Sequence, residues 1–141
     1  MKRLVFVLIA AALTSAAYAQ SPQVESSMQV LFSGNSANLR TVGPELALQN
    51  QRVFAEVAQI LLDNPGYRVL IDGHANPVLG TTREERNVLS SLSQQRAAAV
   101  ANYLVEFFKI DRQRLILTGD GGRFARDDSS QNRRVSFFII S

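Results

Sequence analysis

The chain of 141 residues contains no cysteine and only one histidine, His74. Without cysteine it has no disulfide, no thiol nucleophile and no acceptor for lipoprotein processing. The hydrophobic core alone must stabilise the fold, and a content of 46% hydrophobic and 19% charged residues is typical of a folded globular domain. A hydrolytic or metal centre that uses histidine would have only one imidazole available.

Residues 1–19 have the pattern of a Sec-type signal peptide. Lys2 and Arg3 precede an apolar run over residues 4–13, and Ala17-Tyr18-Ala19 supplies the small residues that signal peptidase recognises. We expect cleavage after Ala19. A retained membrane anchor is the alternative, but the apolar run is shorter than the ~20 residues that a spanning helix needs.

Residues 20–141 are predicted to form a single exported domain with little net charge. Once Lys2 and Arg3 are removed, 13 basic and 12 acidic side chains remain, a net charge of +1. No basic run interleaved with aromatic residues occurs, which argues against nucleic-acid binding. We expect a periplasmic protein.

The hydrophobic pattern predicts the element order β-α-β-α-β-β. This order is typical of a two-layer α/β sandwich, with two main helices on one face of a mixed sheet. Strands joined through helices are expected to pair in parallel with right-handed crossovers, and the last two strands to form an antiparallel pair. A short helical turn is expected where Thr82 and Glu85 form a capping box. The predicted strands are residues 28–32, 67–71, 115–117 and 135–140. The first long helix is predicted to begin at Pro44, and Ser93 is predicted to be the N-cap of the second.

Catalytic and metal sites are poorly supported. His74 with Asp72 and a serine would be needed for a triad, but no Gly-x-Ser-x-Gly elbow occurs. A metal site would combine His74 with Asp72, Glu84 and Glu85, at no recognised spacing. His74 is better explained as a structural residue at a strand end, and the glycine-rich segment 119–122 as a tight turn. We expect no enzymatic activity, no cofactor and no metal.

The most informative segments are Ile71–Pro77, which leaves a strand, and Leu92–Ala97, which we expect at the start of a helix. In a sheet-plus-helix sandwich these two ends can lie side by side. Arg96 would then be on the first helical turn, where free backbone N–H groups and the guanidinium suit a carboxylate. The alternative, an Arg96 that is simply solvated, stays open at this point.

These segments resemble the OmpA-like domain, the peptidoglycan-binding module also found in flagellar motor stators and peptidoglycan-associated lipoproteins. The resemblance covers nearly all of residues 20–141. It is carried by the opening strand and loop at 32–39, the strand ending at 69–74, the Leu-Ser-x-x-Arg-Ala motif at 92–97, and Asn-Arg-Arg-Val at 132–135.

The resemblance implies a binding site for a zwitterionic amino acid of the wall stem peptide. In the family an Asp pairs with the ammonium group and the Arg of Leu-Ser-x-x-Arg-Ala with the carboxylate. Arg96 matches that Arg, but Asn76 stands in place of the Asp and Ala75 in place of the usual Thr. Asn76 can accept a hydrogen bond but cannot supply the charge. The expected site residues are His74, Ala75, Asn76, Ser93, Arg96 and Arg134, with Asp72, Glu84 and Glu85 as substitute carboxylates.

The sequence therefore predicts a non-catalytic envelope protein that binds peptidoglycan without covalent chemistry. An outer-membrane or other envelope protein is a further expected partner. The substitution at Asn76 leaves one alternative open, in which the fold serves as a protein-interaction module of an envelope assembly.

Overall fold

The computed structural model describes residues 28–77, 82–123, 125–126 and 128–141. The predicted signal peptide lies outside these residues. None of the helices in the described ranges is both long enough and apolar enough to cross a membrane. The strands are β1 (Gln29–Leu31), β2 (Arg68–Gly73), β3 (Leu115–Gly119) and β4 (Arg134–Ile140), and the long helices are α1 (Pro44–Asp63) and α2 (Arg83–Phe108).

The four strands form one mixed sheet in the order β1-β4-β2-β3. β2 and β3 pair in parallel, as predicted. The other two pairings predicted from the sequence are wrong, because β1 does not pair with β2 and β3 does not pair with β4. Instead β4 lies between β1 and β2 and is antiparallel to both. The physical reason is the apolar character of β4: its residues are best buried in a central strand, and the loop of residues 120–133 is long enough to carry the chain past the end of β2.

Both long helices pack on one face of the sheet, so the predicted two-layer α/β sandwich is confirmed. α1 begins at Pro44 as predicted, with proline at a position where no N–H donor is needed, and it ends before Asn64-Pro65-Gly66. The core between the layers consists of fully buried aliphatic and aromatic side chains, chiefly Val30, Phe54, Val57, Leu61, Val69, Ile71, Val100, Leu104, Val135 and Phe137.

The N-cap of α2 lies eleven residues earlier than predicted. This N-cap is Thr82, whose Oγ1 accepts a hydrogen bond from the N–H of Glu85 at 3.1 Å. The predicted cap at Thr82 is therefore present, but it opens the long helix rather than a separate short turn. Glu84 and Glu85 in the first turn suit the positive end of the helix dipole. Ser93 is not a cap, and Arg96 lies mid-helix, where its backbone N–H belongs to the helix. The predicted carboxylate site at free N–H groups beside Arg96 is therefore wrong.

Candidate functional site

Four segments of the chain converge at one end of the sheet. The strand register places Leu31 opposite Arg134, and Gly73 opposite both Val135 and Gly119. The ends of β1, β2 and β3 and the start of β4 therefore lie together. The N-terminal half of α2 covers them closely: a Cβ added to Gly73 would lie 1.8 Å from the carbonyl oxygen of Ser93. Glycine is required at this contact.

Arg96 is the central side chain of this end, and it has no exposed surface. Its guanidinium donates to three backbone carbonyls: Nε to Ser36 at 3.0 Å, Nη1 to His74 at 2.9 Å and Nη2 to Gly34 at 2.8 Å. The Arg96 Cζ also lies 5.4 Å from the centre of the Phe32 ring. Burial lowers the pKa of Arg96 to about 10, so the group stays charged at neutral pH. Arg96 thus fixes the loop after β1 to the end of β2.

A second group of polar side chains is buried beside Arg134. His74 Nε2 lies 3.3 Å from Asp72 Oδ2. Burial lowers the pKa of His74 to about 3, and the charge of Arg134 contributes, so the imidazole is neutral. Burial raises the pKa of Asp72, and it raises that of Asp120 to about 7, an effect that the hydrogen bond and the charge of Asp72 increase. Below a pH of about 7 Asp120 therefore keeps its proton, which lies in the hydrogen bond to Asp72.

This buried group could supply ligands to a cation, because one ligand atom from each of Asp72, His74 and Asp120 lies within 4.8 Å of the others. The guanidinium of Arg134 is close enough to act on the pKa values of Asp72 and His74. The guanidinium therefore provides positive charge beside these carboxyls without a metal ion. In this position Arg134 supports the buried group electrostatically and does not line the cavity described next.

A cavity of about 720 Å³, a size that suits a small ligand, opens next to the loop that Arg96 holds, although Arg96 itself does not line it. The loop after β1, the first half of α2 and the start of β4 form its wall. Its lining contains carboxylates, a guanidinium and apolar side chains of α2. The residues are Gly34, Asn35, Asn76, Glu84, Glu85, Val88, Leu89, Ser91, Leu92, Gln95 and Arg133.

The predicted site residues are divided between the cavity and the buried polar group beside Arg134. Asn76, Glu84 and Glu85 line the cavity, whereas Asp72 belongs to the buried group beside Arg134. Ala75 and Ser93 are buried and structural. The N–H of Ala75 donates to the Gly121 carbonyl at 2.7 Å, and Ser93 Oγ accepts from the Gly121 N–H at 2.9 Å and donates to the Ser90 carbonyl.

The sequence reasoning missed Arg133 and Asn132. Strand alternation indicates that one arginine of the pair at 133–134 faces the site, and the structure places Arg133 on the cavity wall. Asn132 is 3% exposed and donates from Nδ2 to Asn76 Oδ1 at 3.2 Å. Its place in the Asn-Arg-Arg-Val motif was the available signal.

Comparison with known proteins gives the family. A family model described as the OmpA family matches residues 31–136. The chain belongs to the OmpA family. No curated protein is significantly similar to it.

Solved structures of OmpA-like domains share the fold. The OmpA-like domain of FopA1 from Francisella tularensis is 22% identical with a TM-score of 0.64, and the match covers 79% of this chain and 70% of that chain. The peptidoglycan-associated lipoprotein of Burkholderia pseudomallei is 24% identical with a TM-score of 0.61, covering 80% and 90%. The periplasmic domain of Helicobacter pylori MotB is 18% identical with a TM-score of 0.57, covering 78% and 69%.

Members of the OmpA family are non-enzymatic proteins of the cell envelope, and this chain is not an enzyme. Its role is non-catalytic and associated with the cell wall.

Proposed function

We propose that this OmpA-family chain binds peptidoglycan stem peptides without covalent chemistry, in the cavity beside Arg96. The observation that carries the proposal is the lining of that cavity. It combines the carboxylates of Glu84 and Glu85 with the guanidinium of Arg133, a complement of charges suited to a zwitterionic peptide. The likeness to a peptidoglycan-associated lipoprotein supports the same ligand.

In this proposal Arg96 serves the site mainly by holding its walls. Three of its N–H groups are bonded to backbone carbonyls, and two of those carbonyls belong to the loop of Gly34 and Ser36. Direct contact between Arg96 and a ligand carboxylate, as the resemblance implies, would use the two remaining N–H groups or displace one of these bonds.

Co-sedimentation with purified sacculi tests the proposal. Val88 lines the cavity and is 65% exposed, so Val88→Trp should fill the cavity without disturbing the core. We expect the wild-type domain to sediment with sacculi and Val88→Trp to stay in the supernatant. Leu62→Trp is the matched control, because Leu62 is 53% exposed on α1 and does not line the cavity. A wild-type domain that fails to sediment would refute wall binding.

The proposal includes export to the periplasm with removal of residues 1–19, and association with an outer-membrane or other envelope protein. Mass spectrometry of the protein recovered from the periplasmic fraction tests the first part. A chain that begins at Gln20 is expected, and an intact Met1 end would contradict it.

A second candidate function is a protein-interaction module of an envelope assembly. The specific observation is an exposed aromatic surface on the helical layer. Phe107 is 57% exposed, and its ring centre lies 4.5 Å from that of Tyr103, beside a groove between α1 and α2. This candidate predicts that Phe107→Ser abolishes assembly with an envelope protein while leaving sedimentation with sacculi unchanged.

A further inference from the structure

The orientation of the Asn132 side-chain amide is fixed by the backbone of Arg126. Asn132 Oδ1 accepts a hydrogen bond from the N–H of Arg126, and Nδ2 donates to the Arg126 carbonyl at 3.0 Å. Reversing the amide would set donor against donor and acceptor against acceptor. The atom of Asn132 that reaches Asn76 is therefore the donor Nδ2.

The fixed orientation of the Asn132 amide also determines the orientation of the Asn76 amide. Its Oδ1 is the atom that accepts from Asn132, so its Nδ2 is at the opposite side of the amide. Asn76 Nδ2 is buried and has no hydrogen-bond partner among the described residues. The Asn76 side chain lines the cavity, and its atom with unused bonding capacity is a donor. A buried donor without an acceptor is unfavourable, so a ligand that supplies one gains affinity.

Arg133, the residue after Asn132, resembles Asn76 in having a buried donor with unused bonding capacity. Its Nε is also buried and has no hydrogen-bond partner in the described part of the chain, and the residue lines the same cavity. Arg133 is close enough to the buried Arg96 for its charge to contribute to the lowered pKa of Arg96. Two guanidinium groups that act on each other in this way create a local excess of positive charge. A carboxylate at this wall would satisfy the donors and relieve the repulsion.

We infer that Asn76 and Arg133 together bind a carboxylate of the wall peptide, and that the ammonium group of the same ligand binds at Glu84 and Glu85 on α2. The inference rests on the proposed function, since it names the ligand groups recognised at that site. This ligand orientation is the reverse of the one that the resemblance implies, in which residue 76 contacts the ammonium group.

Calorimetric titration with one synthetic stem peptide in two forms tests this orientation. One form is zwitterionic, and in the other the terminal carboxylate is a carboxamide. We expect the wild-type domain to bind the zwitterionic form at least tenfold more tightly. Asn76→Asp should weaken binding of that form at least tenfold, because it sets a carboxylate against a carboxylate. Arg133→Gln should weaken it by a similar factor and have little further effect on the carboxamide form.

Arg52→Gln is the control, since it removes the same charge from an exposed position of α1 outside the cavity and should leave both affinities unchanged. Thermal unfolding of each variant shows that it is folded. Tighter binding by Asn76→Asp, or equal affinity of the wild type for the two forms, would overturn the inference while leaving the proposed function intact. A wild-type domain that binds neither peptide form nor sacculi would overturn both.

Discussion

Arg96 joins three segments of the chain through one buried side chain. Its three hydrogen bonds go to the carbonyls of Gly34, Ser36 and His74, and the bond to His74 is buried whereas the other two are part-buried. We expect Arg96→Ala to lower the free energy of unfolding by on the order of 3–5 kcal/mol, because hydrogen bonds from a charged group contribute about 1.5–3 kcal/mol each and the buried His74 carbonyl would be left without this donor. Urea denaturation of this variant beside Arg52→Ala, an exposed control, measures the difference. Equal stability of the two variants would show that the Arg96 bonds contribute little.

Asp120 makes stability depend on pH in the neutral range. Its folded pKa of about 7 lies above the ordinary value of 3.8, so the folded state binds more protons, and stability is lost as pH rises through 7. His74 stays neutral when folded, because its folded pKa is about 3. Between pH 6.5 and 8.5 we expect the titration of Asp120 to cost up to about 1 kcal/mol, a figure reduced for the partial exposure of Asp120.

Asp120→Asn removes this titration while keeping a donor toward Asp72. The free energies of unfolding of the two proteins, measured by denaturant titration at several pH values, should change relative to each other from pH 6.5 to 8.5, the wild type losing stability against the variant. Unfolded His74 loses its proton in the same window and adds stability as pH rises, but it does so equally in both proteins, so the difference between them reports Asp120. Parallel profiles for the two proteins would place the titrating group elsewhere.

At the scale of elements, the contact between β2 and α2 depends on the absence of a side chain at Gly73. A methyl group there would overlap the carbonyl of Ser93, at 1.8 Å, and neither backbone can move alone because β2 is a central strand. We expect Gly73→Ala to cost more than about 3 kcal/mol or to prevent folding, beyond the usual range for overpacking. Gly66→Ala is the control, since a Cβ at Gly66 meets nothing within 4 Å. Similar thermal unfolding of the two variants would contradict the close contact.

The elements themselves could be predicted from local patterns, but their limits and partners could not. The helix start at Pro44 and the parallel pair of β2 and β3 follow from proline chemistry and from the helix that joins those strands. The start of α2 was predicted wrongly because serine is a residue type favoured at N-caps. In the structure Ser93 is a buried helical residue whose hydroxyl donates to the Ser90 carbonyl. Local sequence does not distinguish a capping serine from a buried one.

The position of β4 also depends on information that no local pattern holds. Its apolar residues indicate burial, but the choice between an edge beside β3 and the centre beside β1 and β2 is made by the whole sheet. The central position of β4 brings Arg133 to the cavity and Asn132 against Asn76, so one error in strand order concealed two residues of the candidate site.

At the scale of the whole molecule, the cavity is assembled from segments far apart in sequence. Gly34, Asn76, Glu85 and Arg133 belong to different loops or elements, so a ligand that contacts several of them stabilises only the folded chain. At a concentration of about 100 times its dissociation constant, a stem peptide should raise the free energy of unfolding by about 2.7 kcal/mol. Thermal denaturation with and without the zwitterionic peptide measures this effect.

Val88→Trp separates this coupling from non-specific stabilisation. Its unfolding in the absence of peptide should match that of the wild type, because Val88 is exposed on α2. Its unfolding temperature should not respond to the peptide, since the indole fills the cavity, whereas Leu62→Trp should respond as the wild type does. A peptide that stabilises all three proteins equally would bind elsewhere on the domain. The four segments that form the cavity would then meet because of the fold and would not share a ligand.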